Sequence, residues 1–101
     1  MLVSFSVIPI GSGVSMGDRI AEIIKIVDRS GLPYKINPMG TVVEGEWDEI
    51  MRLIKQCHKR TMRSGKRTFT TISIDDRKGK GRRIHEKVKS VERKIGKTLK
   101  K

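Results

Sequence analysis

The sequence predicts an α+β fold in which four strands and three helices follow the order β-α-β-β-α-β-α. Three observations lead there. Residues 2–9 and 67–75 alternate apolar and polar side chains with a period of two, the pattern of half-buried strands. Ile20, Ile23, Ile24 and Val27, and later Ile50, Met51, Ile54 and Cys57, recur at the three-to-four spacing of a helix stripe. Between those helices lie two short strand-like stretches around Pro38-Met39-Gly40. The first six elements match the split-βαβ layout of a ferredoxin-like sandwich: a four-stranded antiparallel sheet with two helices on one face. The seventh is an extra C-terminal helix.

Each element has its own justification. In the first strand Val3, Phe5 and Val7 face one way and Ser4 and Ser6 the other. Gly11-Ser12-Gly13 breaks it, and Ser15 stands three residues before Asp18, an approximate capping box for the first helix. Ser30-Gly31 ends that helix with a residue suited to the left-handed cap. Residues 34–37 and 41–44 form the hairpin. Glu46, Asp48 and Glu49 sit in the opening turn of the second helix, where the dipole favours acids. Its stripe takes in Trp47 and His58, and Ser64-Gly65 closes it. The fourth strand sets Ile72 and Ile74 on one face and Phe69, Thr71 and Ser73 on the other. Lys78-Gly79-Lys80-Gly81 is a loop, and residues 82–100 form the last helix with the stripe Ile84, Val88, Val91, Ile95 and Leu99. The second sheet face then shows Ser4, Ser6, Thr71, Ser73 and Phe69, small enough to approach another layer closely.

With 101 residues the chain is expected to be one domain spanning 1–101, large enough for a modest core. Its apolar runs are too short to span a bilayer. The first eight residues lack a basic segment and a cleavage site, so they read as a strand and not as a signal peptide. Cys57 is the only cysteine and cannot form an internal disulfide, which points to a reducing cytoplasm. One Asn and one Gln beside abundant Lys, Arg and Ile lean towards a thermophilic source. The net charge of +12 is uneven: residues 1–51 carry 4 basic and 7 acidic side chains, residues 52–101 carry 19 and 4. A charged, solvated face explains most of that excess, and an anionic partner surface is the alternative.

The residues that suggest function cluster at the hairpin. Tyr34 can stack on a flat ring, Asn37 offers a donor and an acceptor, Thr41 adds a hydroxyl, and Glu44 can accept from an exocyclic amine. Each alone has a plain structural explanation; together they suggest a small-ligand pocket. Gly11-Ser12-Gly13 lacks the third glycine and the lysine of nucleotide-binding loops. No nucleophile elbow, acid–base pair or metal-ligand spacing is present, so neither an enzyme nor a metal site is expected. Cys57 and His58 are adjacent, about 100° apart on a helix, which is poor geometry for one metal.

Val7-Ile8-Pro9-Ile10-Gly11, residues 34–37, Met39-Gly40-Thr41 followed by Glu44, His58, and Ile74-Asp75-Asp76-Arg77 resemble the thiamine-binding protein family along nearly the whole chain. The resemblance implies a ferredoxin-like fold, homodimers or homotetramers, and binding of thiamine or its hydroxymethylpyrimidine moiety without cofactor or chemistry. Carried over by position, Ser15, Asn37, Thr41 and Glu44 are the expected polar contacts, with Tyr34 and Met39 as apolar walls. The chain departs from the family pattern at Met16-Gly17-Asp18-Arg19, where members carry Ser or Thr before a Tyr. Arg19 there disfavours a cationic thiazolium unless Asp18 offsets it, so a pyrimidine or another small heterocycle fits better than intact thiamine. The competing expectation is a basic, ferredoxin-like RNA-binding module. Such modules stack bases on sheet-face aromatics, and only Phe5 and Phe69 lie on the relevant strands.

Overall fold

The structure is a computed structural model that describes residues 1–11, 16–79 and 83–100, without the side chain of Arg83. Seven elements follow in the expected order: β1 (Leu2–Ile10), α1 (Met16–Arg29), β2 (Tyr34–Asn37), β3 (Gly40–Glu44), α2 (Trp47–Met62), β4 (Arg67–Asp75) and α3 (Arg83–Ile95). The strands form one antiparallel sheet in the order β2-β3-β1-β4.

The alternation in β1 sets the layers. Val3, Phe5 and Val7 are buried with Val43 of β3, Ile23 and Val27 of α1, and Ile50, Leu53, Ile54 and Cys57 of α2. The helices therefore cover one sheet face, as in a ferredoxin-like sandwich. Leu53 joins this core although the sequence stripe passes over it, and Trp47, placed in that stripe, is exposed at the first turn of α2. The Glu49 side chain steadies that turn by accepting the Glu46 amide at 3.2 Å.

The hairpin is tight. Asn37 pairs with Gly40 across the two-residue loop Pro38-Met39, so β3 starts one residue earlier than the sequence suggests. Gly40 has φ of +156°, and a Cβ there would lie 2.9 Å from the Phe5 carbonyl oxygen. Only glycine lets the hairpin lie this close to β1.

The other sheet face meets α3. Leu2, Ser4, Glu44 and Asp75 share this face by register. The Ile84 amide donates to Glu44 Oε1 at 3.3 Å, and Lys87 Nζ donates to Asp75 Oδ2 at 2.7 Å. The expected helix over 82–100 is corrected to Arg83–Ile95. Gly96 takes a left-handed φ of +68°, and the amides of Gly96 and Lys97 both return to the Glu92 carbonyl, which closes the helix. Leu99 lies beyond it, its amide held by the Glu92 side chain at 2.6 Å. The outer stripe residues Val91 and Ile95 stay exposed. The radius of gyration of 15.0 Å exceeds the roughly 13 Å of a compact domain of this size.

Candidate functional site

A groove of about 480 Å³ opens where the turn end of the hairpin meets the first half of α1. β1 supplies its floor through Phe5 and Val7, α1 one wall through Ile20, Ile23 and Ile24, and the hairpin the other wall through Ile36 to Thr41. These walls follow directly from patterning. The same alternation that buries Phe5 and Val7 turns them towards α1, and the helical stripe turns the isoleucines towards the sheet.

Among the described residues the groove lining contains no ionisable side chain; Asn37 and Thr41 are its polar hairpin residues, and Ser6 joins it from β1, where the alternation turns the Ser6 side chain away from Phe5 and Val7. Thr41 is only 5% exposed, and its hydroxyl has no hydrogen-bond partner among the described residues. Met39 stands at the opposite extreme, 90% exposed at the mouth of the groove. Together these features suit a flat, largely apolar, uncharged group that offers one or two polar edges.

The structure brings together three of the six residues chosen from sequence: Asn37, Met39 and Thr41. Ser15 lies outside the described residues. Tyr34 is on the helix-facing side of the hairpin, but at the end away from the turn. It packs against the core, and its hydroxyl donates to Asp28 Oδ1 at 2.7 Å. That hydrogen bond, with burial and the charge of Asp28, raises the Tyr34 pKa above 10.0. Glu44 is 7% exposed and stands on the other sheet face, at the start of α3. Thr41 and Glu44 are three residues apart, so a regular strand turns them to opposite faces.

Asp18 is not the residue that balances Arg19. Glu22 receives Arg19 Nη1 at 3.2 Å through one oxygen and Arg60 Nη2 at 3.2 Å through the other, tying α1 to α2. Arg19 is 6% exposed and is absent from the groove lining, so its charge is held away from the groove. The sequence did not single out Glu22, Ser6 or the three isoleucines as site residues. The isoleucine stripe was visible as a helix face, but a groove needs the hairpin brought opposite it. His58 is bound to Thr70 of β4, ring Nδ1 to Oγ1 at 2.6 Å. Cys57 is buried, and burial pushes its thiol from 9.0 to about 11. No group of three or more His, Cys, Asp or Glu side chains among the described residues is placed to hold a metal. No helix among them is long and apolar enough to cross a membrane. Phe5 faces the core, leaving Phe69 as the one aromatic on the outer face of the described strands.

Comparison with known proteins agrees with this architecture. The family model for thiamine-binding proteins matches residues 3–92. A UPF0045 protein of Methanocaldococcus jannaschii is 34% identical over 86 residues, covering 85% of this chain and 86% of its own. A UPF0045 protein of Mycobacterium bovis is 36% identical over 94 residues, covering 92% of each. A crystal structure of a Methanocaldococcus jannaschii protein superposes with a TM-score of 0.81 at 32% identity, covering 89% of this chain and 93% of that one. A Thermotoga maritima crystal structure, of a candidate thiamine biosynthesis or salvage protein, gives 0.77 at 31% identity over 89% and 96%. The shared fold is thus the ferredoxin-like α+β sandwich, and the chain belongs to the thiamine-binding protein family.

Proposed function

We propose that this protein is a non-catalytic binder of a small flat heterocycle of the thiamine type, taken in the groove by its aminopyrimidine part. One observation carries the reading: an otherwise apolar groove holds the Thr41 hydroxyl, 5% exposed as a residue and without a partner among the described residues. The hydroxyl is not one of the fully buried atoms left without a partner, so it keeps an opening to the groove through which a ligand edge can meet it as donor or acceptor. In this reading Asn37 at the turn supplies a donor and an acceptor and Met39 closes over the ring, which their positions in the groove lining support.

The lining favours a neutral guest. Among the described residues it presents no carboxylate to a thiazolium, and Glu44 serves the amide of Ile84 on the other face. Hydroxymethylpyrimidine therefore suits the groove better than intact thiamine. Among the described residues the lining also presents no carboxyl, imidazole, amine or thiol to act as general acid or base, which supports binding without chemistry. A single, buried cysteine suits a reducing cytoplasm.

Calorimetric titration of the wild type and of Asn37→Ala with hydroxymethylpyrimidine and with thiamine tests this. Saturable binding of the pyrimidine, tighter than that of thiamine and weakened several-fold in the variant, is expected. No heat with either compound at millimolar concentration overturns it.

A further inference from the structure

The two helices over the sheet carry their charges differently. α1 mixes signs, with the acids Asp18, Glu22 and Asp28 among the bases Arg19, Lys25 and Arg29. α2 confines its acids, Asp48 and Glu49, to the first turn. After them the helix and its cap carry Arg52, Lys55, Lys59, Arg60 and Arg63 and no carboxylate. At about 100° per residue, Arg52, Lys55, Lys59 and Arg63 fall within an arc of about 80°, opposite the buried Ile50, Leu53, Ile54, Cys57 and Thr61. All four are exposed, and none has a side-chain ion pair or hydrogen bond among the described residues. Arg60, outside the arc, pairs with Glu22. Asp48 shares the arc at the first turn, where the helix dipole favours an acid. Mixed signs, as on α1, serve solubility. A stripe of one sign instead sets Lys55 against Lys59 and Lys59 against Arg63 at i,i+4, which destabilises the helix. A polyanion lying along the stripe relieves that repulsion.

We propose that this stripe of α2 binds the sugar–phosphate backbone of double-stranded nucleic acid without reading its sequence. Its four cations span about 16 Å along the helix axis. Over that length a duplex presents about ten phosphates. The arc holds Asp48, Arg52, Lys55, Lys59 and Arg63, and no apolar or aromatic residue. It therefore has nothing to bury in a bilayer, as an interfacial helix must. It has no anchor of the kind that carries a protein–protein contact, and no ring on which unpaired bases could stack. Phosphate contact remains, and a duplex offers it in dense, regular rows. The outer sheet face, where ferredoxin-like RNA binders stack bases, takes no part. The core residues of α2 hold the helix against the sheet, so the stripe is presented ready-made. The groove takes no lining residue from α2, so the two surfaces are separate.

Nucleic-acid binding is measured without heterocycle, so it stands or falls separately from the groove. Fluorescence anisotropy of the whole chain with labelled duplexes of about 20 base pairs, one of DNA and one of RNA, is expected to give saturable binding. The Kd should lie between about 1 and 100 µM at physiological salt, and a plot of log affinity against log salt should slope at about −3 to −4 for four phosphate contacts. The double variant Lys55→Gln/Lys59→Gln should raise Kd tenfold or more and flatten the slope by about 2. Lys94→Gln/Lys97→Gln removes the same two charges from the net +12, at exposed positions away from α2, and should change Kd less than threefold. No saturable binding of either duplex at 50 mM salt overturns the proposal, as does an equal loss in both double variants. Tighter binding to a single strand of the same length, or to vesicles of phosphatidylserine and phosphatidylcholine, overturns it in favour of that partner. Lys55 and Lys59 are exposed and glutamine is a good helix former, so the α2 variant should fold. Should it fail to, amide NMR of the wild type titrated with duplex decides: shifts must centre on residues 52–63, and shifts elsewhere with α2 unmoved refute the surface.

Discussion

Thr41→Val separates ligand binding from folding because the two effects have opposite signs. The substitution keeps the shape of the side chain and removes one hydroxyl. In most buried sites that costs stability, because a hydrogen bond is lost. Here the hydroxyl has no partner among the described residues, in a position only 5% exposed. The oxygen is not one of the fully buried atoms left without a partner, so no internal hydrogen bond is lost, and replacing it with a methyl should leave the free protein between unchanged and about 1 kcal/mol more stable, the gain coming from the added apolar contact. For a chain of this size 1 kcal/mol corresponds to about 4–8 °C in Tm. The ligand loses one neutral hydrogen bond, about 1 kcal/mol, or roughly a fivefold rise in Kd. Thermal denaturation with and without hydroxymethylpyrimidine reads both: the Tm of the free protein holds or rises while the ligand-induced shift shrinks. A Tm that falls by several degrees would mean the hydroxyl already has a structural partner. An unchanged ligand-induced shift would remove Thr41 from the site.

Three further outcomes are expected. Gly40→Ala drives a Cβ to within 2.9 Å of the Phe5 carbonyl oxygen, so chemical denaturation should show a loss of about 1–3 kcal/mol, with weaker ligand binding as the hairpin moves off β1. Glu44→Ala removes the acceptor of the Ile84 amide. Hydrogen exchange in the first turns of α3 should speed up by the equivalent of about 0.5–2 kcal/mol while groove affinity holds, and a large loss of affinity would return Glu44 to the site. Cys57 has its thiol raised from 9.0 to about 11, so the folded state holds this proton more tightly than the unfolded state. Its contribution is complete below pH 9 and is lost as pH rises towards 11. Tyr34 is shifted upward too and acts in the same direction. Cys57→Ala should flatten the alkaline fall in stability, and an aromatic disulfide reagent at pH 8 should label the native thiol no faster than the chain unfolds.

The fold was readable where a local pattern decides the structure. Alternation along 2–9 fixed which β1 residues enter the core, and isoleucine spacing fixed the inner face of α1, because both periods are properties of the backbone alone. Gly96 carried the signal that ends α3, but the apolar spacing continued past it to Leu99 and concealed the stop. The lining of the groove was half readable. Asn37, Met39 and Thr41 gather because the turn brings sequence neighbours together. Glu44 was grouped with them by proximity along the chain, although strand parity turns it away from Thr41. Tyr34 sits on the correct face but is drawn by Asp28 to the far end of the hairpin. The balancing of Arg19 by Glu22 and Arg60 joins residues 38 positions apart, a relation set by how α1 lies on α2.

Binding in the groove between α1 and the hairpin turn is tested most directly by a hydroxymethylpyrimidine titration followed in amide NMR spectra. The amides of Ser6, Ile20, Ile24, Asn37, Gly40 and Thr41 should shift together and saturate, while those of Ile84 and Lys87 on the other sheet face stay in place. Shifts confined to α3 and the outer sheet face, with the hairpin turn unmoved, would contradict the account.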